Sequence, residues 1–143
     1  MTERVRAILT TPSGTLLLIK RVKPGVPAYW VTPGGKVETS DATHEDALRR
    51  EIKEEIAGEV EHLRLLHVLD DGEGRQHFYL APITTWSFDD RTGPEFSQEG
   101  RGEYLLEEID LTHEAFDAVD LKPEQLLPVL HKALDAGLLP TAI

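Results

Sequence analysis

The sequence predicts a single α/β domain in which a β-sheet packs against two helices. Its 143 residues are enough for one hydrophobic core and too few for two ordinary domains. Short apolar runs bounded by Pro, Gly and Asp predict strands in both halves of the chain. Two segments, 43–58 and 122–137, carry apolar residues at helical spacing and predict core-facing helices. We therefore expect residues 1–143 to form one domain.

The strands are expected in an order that places a hairpin in the middle of the chain. A strong turn signal at 70–74 joins two of them and predicts antiparallel pairing. A proline- and glycine-rich loop is expected at 23–28, a strand extension at 83–88, and a long polar loop at 89–102. The expected strands are 5–10, 15–21, 29–32, 59–70, 75–82 and 103–109.

The first helix has clear signals at both of its ends. Thr43 is a suitable N-cap, because its hydroxyl can accept a bond from a backbone N–H of the first turn. Leu48, Ile52 and Ile56 recur at i, i+4 and i+8 and should face the core. Gly58 is expected to end the helix in the left-handed conformation.

Composition excludes several function classes. The formal net charge of −11 argues against binding to a nucleic-acid backbone or an anionic membrane. The chain has no cysteine, which excludes disulfides, thiolate metal sites and cysteine nucleophiles. No signal peptide is expected, because no long apolar run follows the first residues, and no stretch approaches the ~20 apolar residues of a membrane span. A cytoplasmic protein is expected, and a small phosphorylated ligand is compatible with the charge if a cation accompanies it.

Three carboxylates cluster on the first helix. Glu51, Glu54 and Glu55 fall at i, i+3 and i+4, which places them on one helix face. Like charges repel there, and a hard divalent cation is the natural partner for clustered carboxylate oxygens. The pair Gly34-Gly35, one loop upstream, lets the main chain approach a ligand or ion closely. Glutamate clusters alone are usually solvated, so the glycine pair and the segment that leads into it, at this distance from the helix, are what favour a metal site.

The stretch from Gly35 to Gly58 resembles the Nudix box of the Nudix hydrolase family. That signature reads G-x5-E-x7-R-E-U-x-E-E-x-G-U, where U is a bulky apolar residue. Arg50–Ile52 matches R-E-U, and Glu54–Glu55 matches the E-E pair. Residues 30–38 are similar to the W-x-x-P-G-G-K-x-E segment that precedes the box in many members. The resemblance implies an α/β/α sandwich with a mixed central β-sheet.

The chain departs from the signature in two places. Gly35 to Arg50 is one residue longer than the signature allows, so its first glutamate falls on Asp41 or Ala42. Ala57 occupies the position of the last glycine. The missing glutamate has a supporting role in the family, so we expect activity to survive its loss.

The resemblance also implies a cofactor and a set of site residues. Mg²⁺ or Mn²⁺ would be held by Glu51, Glu54 and Glu55 together with the Gly35 carbonyl. Arg50 would orient a helix glutamate by a charge-assisted hydrogen bond, and Glu38 is a candidate partner for Arg50. The expected catalytic residues are Arg50, Glu51, Glu54 and Glu55.

Substrate contacts and the general base are less defined by the sequence. The base is expected to be a helix glutamate or an acid from the distal loop, with Glu99 and Glu103 as candidates. Trp30 could stack on the nucleobase of a substrate, although a core position is favoured for an aromatic residue before a turn. The six histidines show no metal-binding spacing, so surface or core roles are expected for them. Candidate substrate-binding residues are Arg21, Trp30, Lys36 and Glu38, and substrate choice is assigned to the loops 22–29 and 89–102.

These observations favour a Mg²⁺-dependent hydrolase that cleaves the diphosphate linkage of a nucleoside diphosphate joined to another moiety. Nucleoside triphosphates, dinucleoside polyphosphates and nucleotide sugars all remain open as substrates. The alternative is a non-catalytic module of the same fold that binds a nucleotide metabolite. An isomerase on the same fold is a less favoured alternative, because such chemistry typically uses a cysteine and this chain has none. The expected partner is a small nucleotide, and a homodimer is left open.

Overall fold

The computed structural model describes residues 2–87 and 103–139, and its elements form a mixed sheet with helices on both sides. Glu99 and the expected loop 89–102 lie outside the described residues. The strands are β1 (Thr2–Thr10), β2 (Thr15–Lys23), β3 (Val26–Val31), β4 (Gly34–Lys36), β5 (Arg64–Asp70), β6 (Gly74–Pro82), β7 (Glu103–Asp110) and β8 (Leu121–Lys122). The helices are α1 (His44–Ile56), α2 (His113–Asp117) and α3 (Leu126–Asp135).

β1 is the strand around which the sheet is arranged. It pairs in parallel with β6 along its whole length and antiparallel with two strands on its other edge. There its N-terminal half pairs with β4 and its C-terminal end with β2. β2 in turn pairs with β3 and β7, and β8 adds to β3. The divided edge of β1 brings the short glycine-containing strand β4 into contact with α1.

The core has two parts, one on each face of the sheet. Alternate β1 residues such as Val5 and Ala7 pack beneath α1, whereas Ile8 faces the opposite cluster beneath α2 and α3. Leu48, Ile52 and Ile56 are fully buried, which confirms the predicted apolar stripe of α1. The α/β class with a mixed sheet between helices is therefore confirmed. Across the described part of the chain, the helices are too short or too polar to cross a membrane.

The prediction of a loop at 23–28 is wrong. β2 and β3 form a tight hairpin there, with Gly25 at a φ of +74° in its turn. The pairing register shifts between Arg21 and Lys23, and Pro27 falls in this irregular stretch. A proline has no N–H for the ladder, so it is tolerated where the pairing is interrupted. The substrate loop expected at 22–29 is consequently a β-hairpin.

Two predicted strands are shorter than expected. β5 begins at Arg64 rather than Glu59, and the preceding backbone is held by a side chain instead of a ladder. Nε and Nη2 of Arg49 donate to the carbonyls of Val60 and Glu61, at 3.3 and 3.1 Å. Residues 83–87 are not a strand, and Phe88 lies outside the described residues. The β5–β6 hairpin and the strand at β7 are as predicted.

The ends of α1 follow the prediction at one terminus only. The Thr43 hydroxyl accepts a hydrogen bond of 3.0 Å from the Asp46 N–H, as an N-cap should. At the other end the left-handed residue is Ala57, with φ 48° and ψ 35°, and not Gly58. A Cβ at position 58 would lie 2.7 Å from Cδ1 of Ile83, so that glycine permits close packing instead.

The C-terminal helix is also shorter than predicted. α3 starts at Leu126, after the cis peptide between Lys122 and Pro123. Pro128 occupies its third position, where a missing N–H leaves no intrahelical bond unmade. The short helix α2 was missed, although Thr112 accepts a 3.1 Å bond from the Ala115 N–H as its N-cap.

Candidate active site

The glycine pair lets β4 lie directly against β1 and α1. Gly34 has a φ of +148°, and a Cβ there would lie 2.0 Å from the Val5 carbonyl oxygen. Only glycine fits both the torsion and the space. The Gly34 N–H donates a 2.9 Å hydrogen bond to Oε1 of Glu55, a side chain that is almost fully buried. The backbone of β4 thus holds one of the three clustered carboxylates.

Gly35 makes room for a second carboxylate. A Cβ at this position would lie 2.6 Å from the Cδ atom and both carboxylate oxygens of Glu51. Any larger residue would therefore displace the Glu51 carboxylate, because real Cβ atoms do not approach other atoms so closely. From the sequence, the glycine pair was expected to let the main chain approach a ligand or ion. In the structure it also lets the main chain approach the carboxylates of Glu51 and Glu55.

Arg50 is anchored by Asp41. Its Nε and Nη2 atoms donate to Oδ1 and Oδ2 of Asp41 at 3.0 and 2.9 Å, which makes a bidentate ion pair. Nη2 also donates to the Lys36 carbonyl at 3.1 Å. The Asp41 carboxylate accepts a further 2.8 Å bond from the Glu38 N–H. The hydrogen bonds from Arg50 and then Glu38 lower the pKa of Asp41, and Asp41 in turn raises the pKa of Arg50.

The remaining nitrogen of Arg50 faces three glutamates. Nη1 lies 3.1 Å from Oε1 of Glu51, 3.4 Å from Oε2 of Glu54 and 3.7 Å from Oε1 of Glu38. The three side chains differ in exposure: Glu51 is 13% exposed, Glu54 34% and Glu38 59%. One guanidinium therefore links the glutamates of α1 to the connection that precedes the helix.

These contacts identify which residue takes the position of the first glutamate of the signature. The sequence leaves Asp41 and Ala42 as alternatives, and the structure places Asp41 against Arg50 while Ala42 is exposed. The spacing from Gly35 to Asp41 is that of the signature, so the extra residue lies between Asp41 and Arg50. A shorter carboxylate occupies the place of the missing glutamate.

Arg6 is a charged neighbour of the site that the sequence analysis missed. Burial lowers the pKa of its guanidinium, and the charges of Glu55 and Glu51 act in the opposite direction. Its Nε donates to Oε1 of Gln76 at 3.3 Å. The signal in the sequence was an arginine between two apolar residues, Val5 and Ala7, of the predicted strand 5–10.

The other predicted residues lie in varied surroundings. Trp30 packs against the core beneath α3, with Nζ of Lys20 5.2 Å from its ring centroid, which agrees with the favoured core position. The Arg21 guanidinium stacks on the Tyr104 ring at 3.6 Å. Lys36 has an exposed side chain. Glu103 is exposed at the first residue of β7, opposite Val22.

The charges of the cluster are unbalanced. Five carboxylates, those of Glu38, Asp41, Glu51, Glu54 and Glu55, lie around the guanidinium groups of Arg50 and Arg6, and the charge of Arg4 also acts on Arg6. Excess carboxylate oxygens in a partly buried position fit a hard divalent cation such as Mg²⁺ or Mn²⁺. Such a cation would also attract the oxygens of a diphosphate.

Comparison with family models gives one result that covers nearly the whole chain. The model described as NUDIX domain matches residues 2–136. A search of curated proteins found no match.

Many solved structures resemble this fold. A MutT structure from work on Aliivibrio salmonicida and Vibrio cholerae is 21% identical, with a TM-score of 0.66 over 94% of this chain and 98% of that one. An ADP-ribose pyrophosphatase from Streptococcus suis is 20% identical, with a TM-score of 0.66 over 95% and 91%. A MutT NUDIX hydrolase from Burkholderia pseudomallei is 26% identical, with a TM-score of 0.57 over 91% and 95%.

Proposed function

The chain belongs to the Nudix hydrolase family, and we propose that it is a Mg²⁺-dependent enzyme that hydrolyses the diphosphate linkage of a nucleoside diphosphate joined to another moiety. Family membership supports a pyrophosphohydrolase acting on a small nucleotide. The metal, the substrate class and the residue roles given below are parts of the proposal.

The observation that carries the proposal is the organisation of the box around Arg50. Its guanidinium is fixed on one side by Asp41 and the Lys36 carbonyl and faces Glu51 and Glu54 on the other. A solvated helix face has no need of such an anchor, because exposed glutamates are satisfied by water. The arrangement instead holds like charges together at a cost in repulsion, which a bound cation would offset.

The chain's own residues have distinct roles in this proposal. Glu51, Glu54, Glu55 and the Gly35 carbonyl would hold Mg²⁺ or Mn²⁺, which supplies charge neutralisation for the diphosphate. Arg50 positions Glu51 and Glu54, and Asp41 positions Arg50. The proton of the attacking water passes to a helix glutamate or to Glu99 or Glu103.

Substrate recognition is proposed for residues outside the helix. Lys36, with its exposed side chain beside the glycine pair, suits a phosphate contact. Arg21, Trp30 and Glu38 remain candidates for the same role. Nucleoside triphosphates, dinucleoside polyphosphates and nucleotide sugars are the substrates to test, and we propose the cytoplasm as the compartment.

A substrate panel tests the function. The protein is incubated with Mg²⁺ and representatives of the three substrate groups, and release of phosphate, diphosphate or nucleoside monophosphate is followed. Turnover of at least one member is expected, with a loss of about 100-fold or more in Glu54→Gln, since groups that stabilise charge in a transition state contribute on that scale. Glu59→Gln, an exposed glutamate just beyond α1, is the matched control and should retain activity.

Two outcomes would contradict the proposal. Tight nucleotide binding without turnover of any member would favour the non-catalytic binding module. Equal turnover by wild type and Glu54→Gln would remove the box helix from the reaction. If Glu54→Gln does lose activity, the variants Glu99→Gln and Glu103→Gln test the two loop candidates for the base. Loss of a loop base should lower kcat at saturating Mg²⁺ in one of them, whereas both should keep the wild-type kcat if the base is a helix glutamate.

A further inference from the structure

Two histidines and a glutamate meet at the N-terminal end of α1, outside the Arg50 cluster. One ligand atom from each of Glu3, His44 and His77 lies within 4.8 Å of the other two. Nε2 of His77 is 2.5 Å from Oε2 of Glu3, and the ring centroids of His44 and His77 are 4.4 Å apart. All three residues are partly buried.

The fold fixes each member of this group by a separate element. The parallel register of β1 and β6 sets Val5 opposite His77. Glu3 precedes Val5 by two residues and so shares its face of the sheet, which is the face beneath α1. His44 is the first residue of α1, held at this place by the Thr43 N-cap. Residues far apart in the sequence therefore converge without contributing to the apolar core.

The group is separate from the proposed catalytic cluster. His44 and Glu51 are seven residues apart on the same helix, which corresponds to roughly 10 Å along its axis. A Mg²⁺ site at Glu51 would therefore not use the histidines. The connection between the two places is made by backbone, since the Val37 N–H donates to the Glu3 carbonyl at 2.9 Å.

We propose that Glu3, His44 and His77 form a binding site for a zinc ion. Two imidazole nitrogens and one carboxylate oxygen are a donor set that suits zinc, whereas Mg²⁺ prefers oxygen ligands alone. Zinc bonds of about 2.0–2.2 Å require ligand atoms roughly 3.4 Å apart in a tetrahedral site. The ligand atoms already lie within 4.8 Å of one another, so side-chain rotations would bring them to that spacing, and a fourth position would remain for water or a small ligand.

The electrostatics around the group are mixed. The hydrogen bond from His77 is the largest influence on Glu3 and lowers the pKa of its carboxyl group, which keeps the anionic ligand form available. The Glu45 carboxylate lies nearby, where it accepts a 3.3 Å bond from the Tyr79 hydroxyl. Arg75 and the positive end of α1 oppose a cation. A hydrogen bond between Glu3 and His77 accounts for the proximity of those two residues only. A metal site accounts for the position of His44 as well.

Zinc titration of the full chain tests the proposal. The experiment uses excess Mg²⁺ so that the hard cation occupies the carboxylate cluster, and follows heat and the imidazole ¹⁵N signals. One equivalent of zinc should bind and shift the signals of His44 and His77, but not that of exposed His62. His44→Ala and His77→Gln should each weaken zinc binding by about tenfold or more, as loss of one of three ligands should. His62→Ala is the matched control and should bind as wild type does.

Structural failure of the variants is separable from loss of a ligand. His44→Ala leaves the Glu3–His77 contact intact, and the amide of His77→Gln can still donate to Glu3. Thermal unfolding without zinc should show both variants folded, and zinc at a fixed concentration should raise the melting temperature of wild type more than that of either variant. Unchanged zinc affinity in both variants would overturn the proposal. So would zinc binding that disappears in Glu54→Gln instead.

Discussion

Ala57 holds a backbone conformation that favours glycine, and replacing it should stabilise the protein. It ends α1 with φ 48° and ψ 35°, in the left-handed region. For a residue with a Cβ, that conformation costs about 1–2 kcal/mol relative to the right-handed one. Glycine adopts it without this cost. The hydrogen bond of 3.0 Å from the Ala57 N–H to the Lys53 carbonyl involves backbone only and should persist in Ala57→Gly.

The expected gain is smaller than the strain, because glycine also stabilises the unfolded chain. That effect is about 0.4–1 kcal/mol for an exchange of alanine and glycine. The difference leaves a net stabilisation of about 0.5–1 kcal/mol, or a rise of roughly 1–4 °C in melting temperature for a domain of this size. Urea unfolding followed by circular dichroism should show a higher midpoint with an unchanged m-value.

Ala136→Gly is the matched control for this prediction. Ala136 ends α3 in the right-handed region at φ −80°, and Gly137 already supplies the left-handed residue there. The same chemical change should therefore destabilise the protein by about 0.5–1 kcal/mol at this position. Equal effects of the two substitutions, or a loss of stability in Ala57→Gly, would refute the reasoning from backbone strain.

Three further predictions concern the candidate active site. Asp41→Ala should lower kcat by about 10- to 100-fold in the hydrolysis assay, because Arg50 loses the partner that fixes it. Gly35→Ala should displace the Glu51 carboxylate and so raise the Mg²⁺ concentration needed for half-maximal activity. Gly25→Ala, where the added Cβ meets open space, should affect stability alone. The stability difference between wild type and Asp41→Asn should be full near neutral pH. It should shrink as the pH falls below about 4, because the lowered pKa of Asp41 contributes stability only while its carboxyl is ionised.

Each of these predictions has a result that would contradict it. Unchanged kcat in Asp41→Ala would mean that Arg50 needs no anchor. Wild-type Mg²⁺ dependence in Gly35→Ala would mean that the helix carboxylate can move without consequence. A stability gap for Asp41→Asn that is constant from neutral to acidic pH, measured by urea unfolding, would show that ionisation of Asp41 adds no stability through its contact with Arg50.

The sequence predicted best where one local rule decided the outcome. The apolar stripe of α1 and its Thr43 cap depend on spacing within a single helix, and both are found in the structure. The α/β class and the family were also predicted correctly. The carboxylates of the box were identified as a cluster from their helical spacing alone.

Predictions failed where tertiary contacts outweighed local signals. Prolines and a glycine at 23–28 indicated a loop, but pairing of β2 with β3 and β7 makes the segment a hairpin. Gly58 was the better local terminator of α1, yet the packing of Ile83 against it leaves the left-handed position to Ala57. No periodicity reveals that Glu3 and His77 meet, because the β1–β6 register sets it.

The Mg²⁺ dependence of hydrolysis tests the central claim most directly. Initial rates on a nucleotide that the wild-type protein cleaves are measured as Mg²⁺ is varied, for wild type, Glu54→Gln and Glu59→Gln in parallel. Wild type and Glu59→Gln should lose activity on chelation and recover it fully with Mg²⁺, whereas Glu54→Gln should stay about 100-fold slower at every concentration. Hydrolysis that persists after chelation, or equal rates for the two glutamine variants, would contradict the assignment of the Arg50 cluster as a metal-dependent active site.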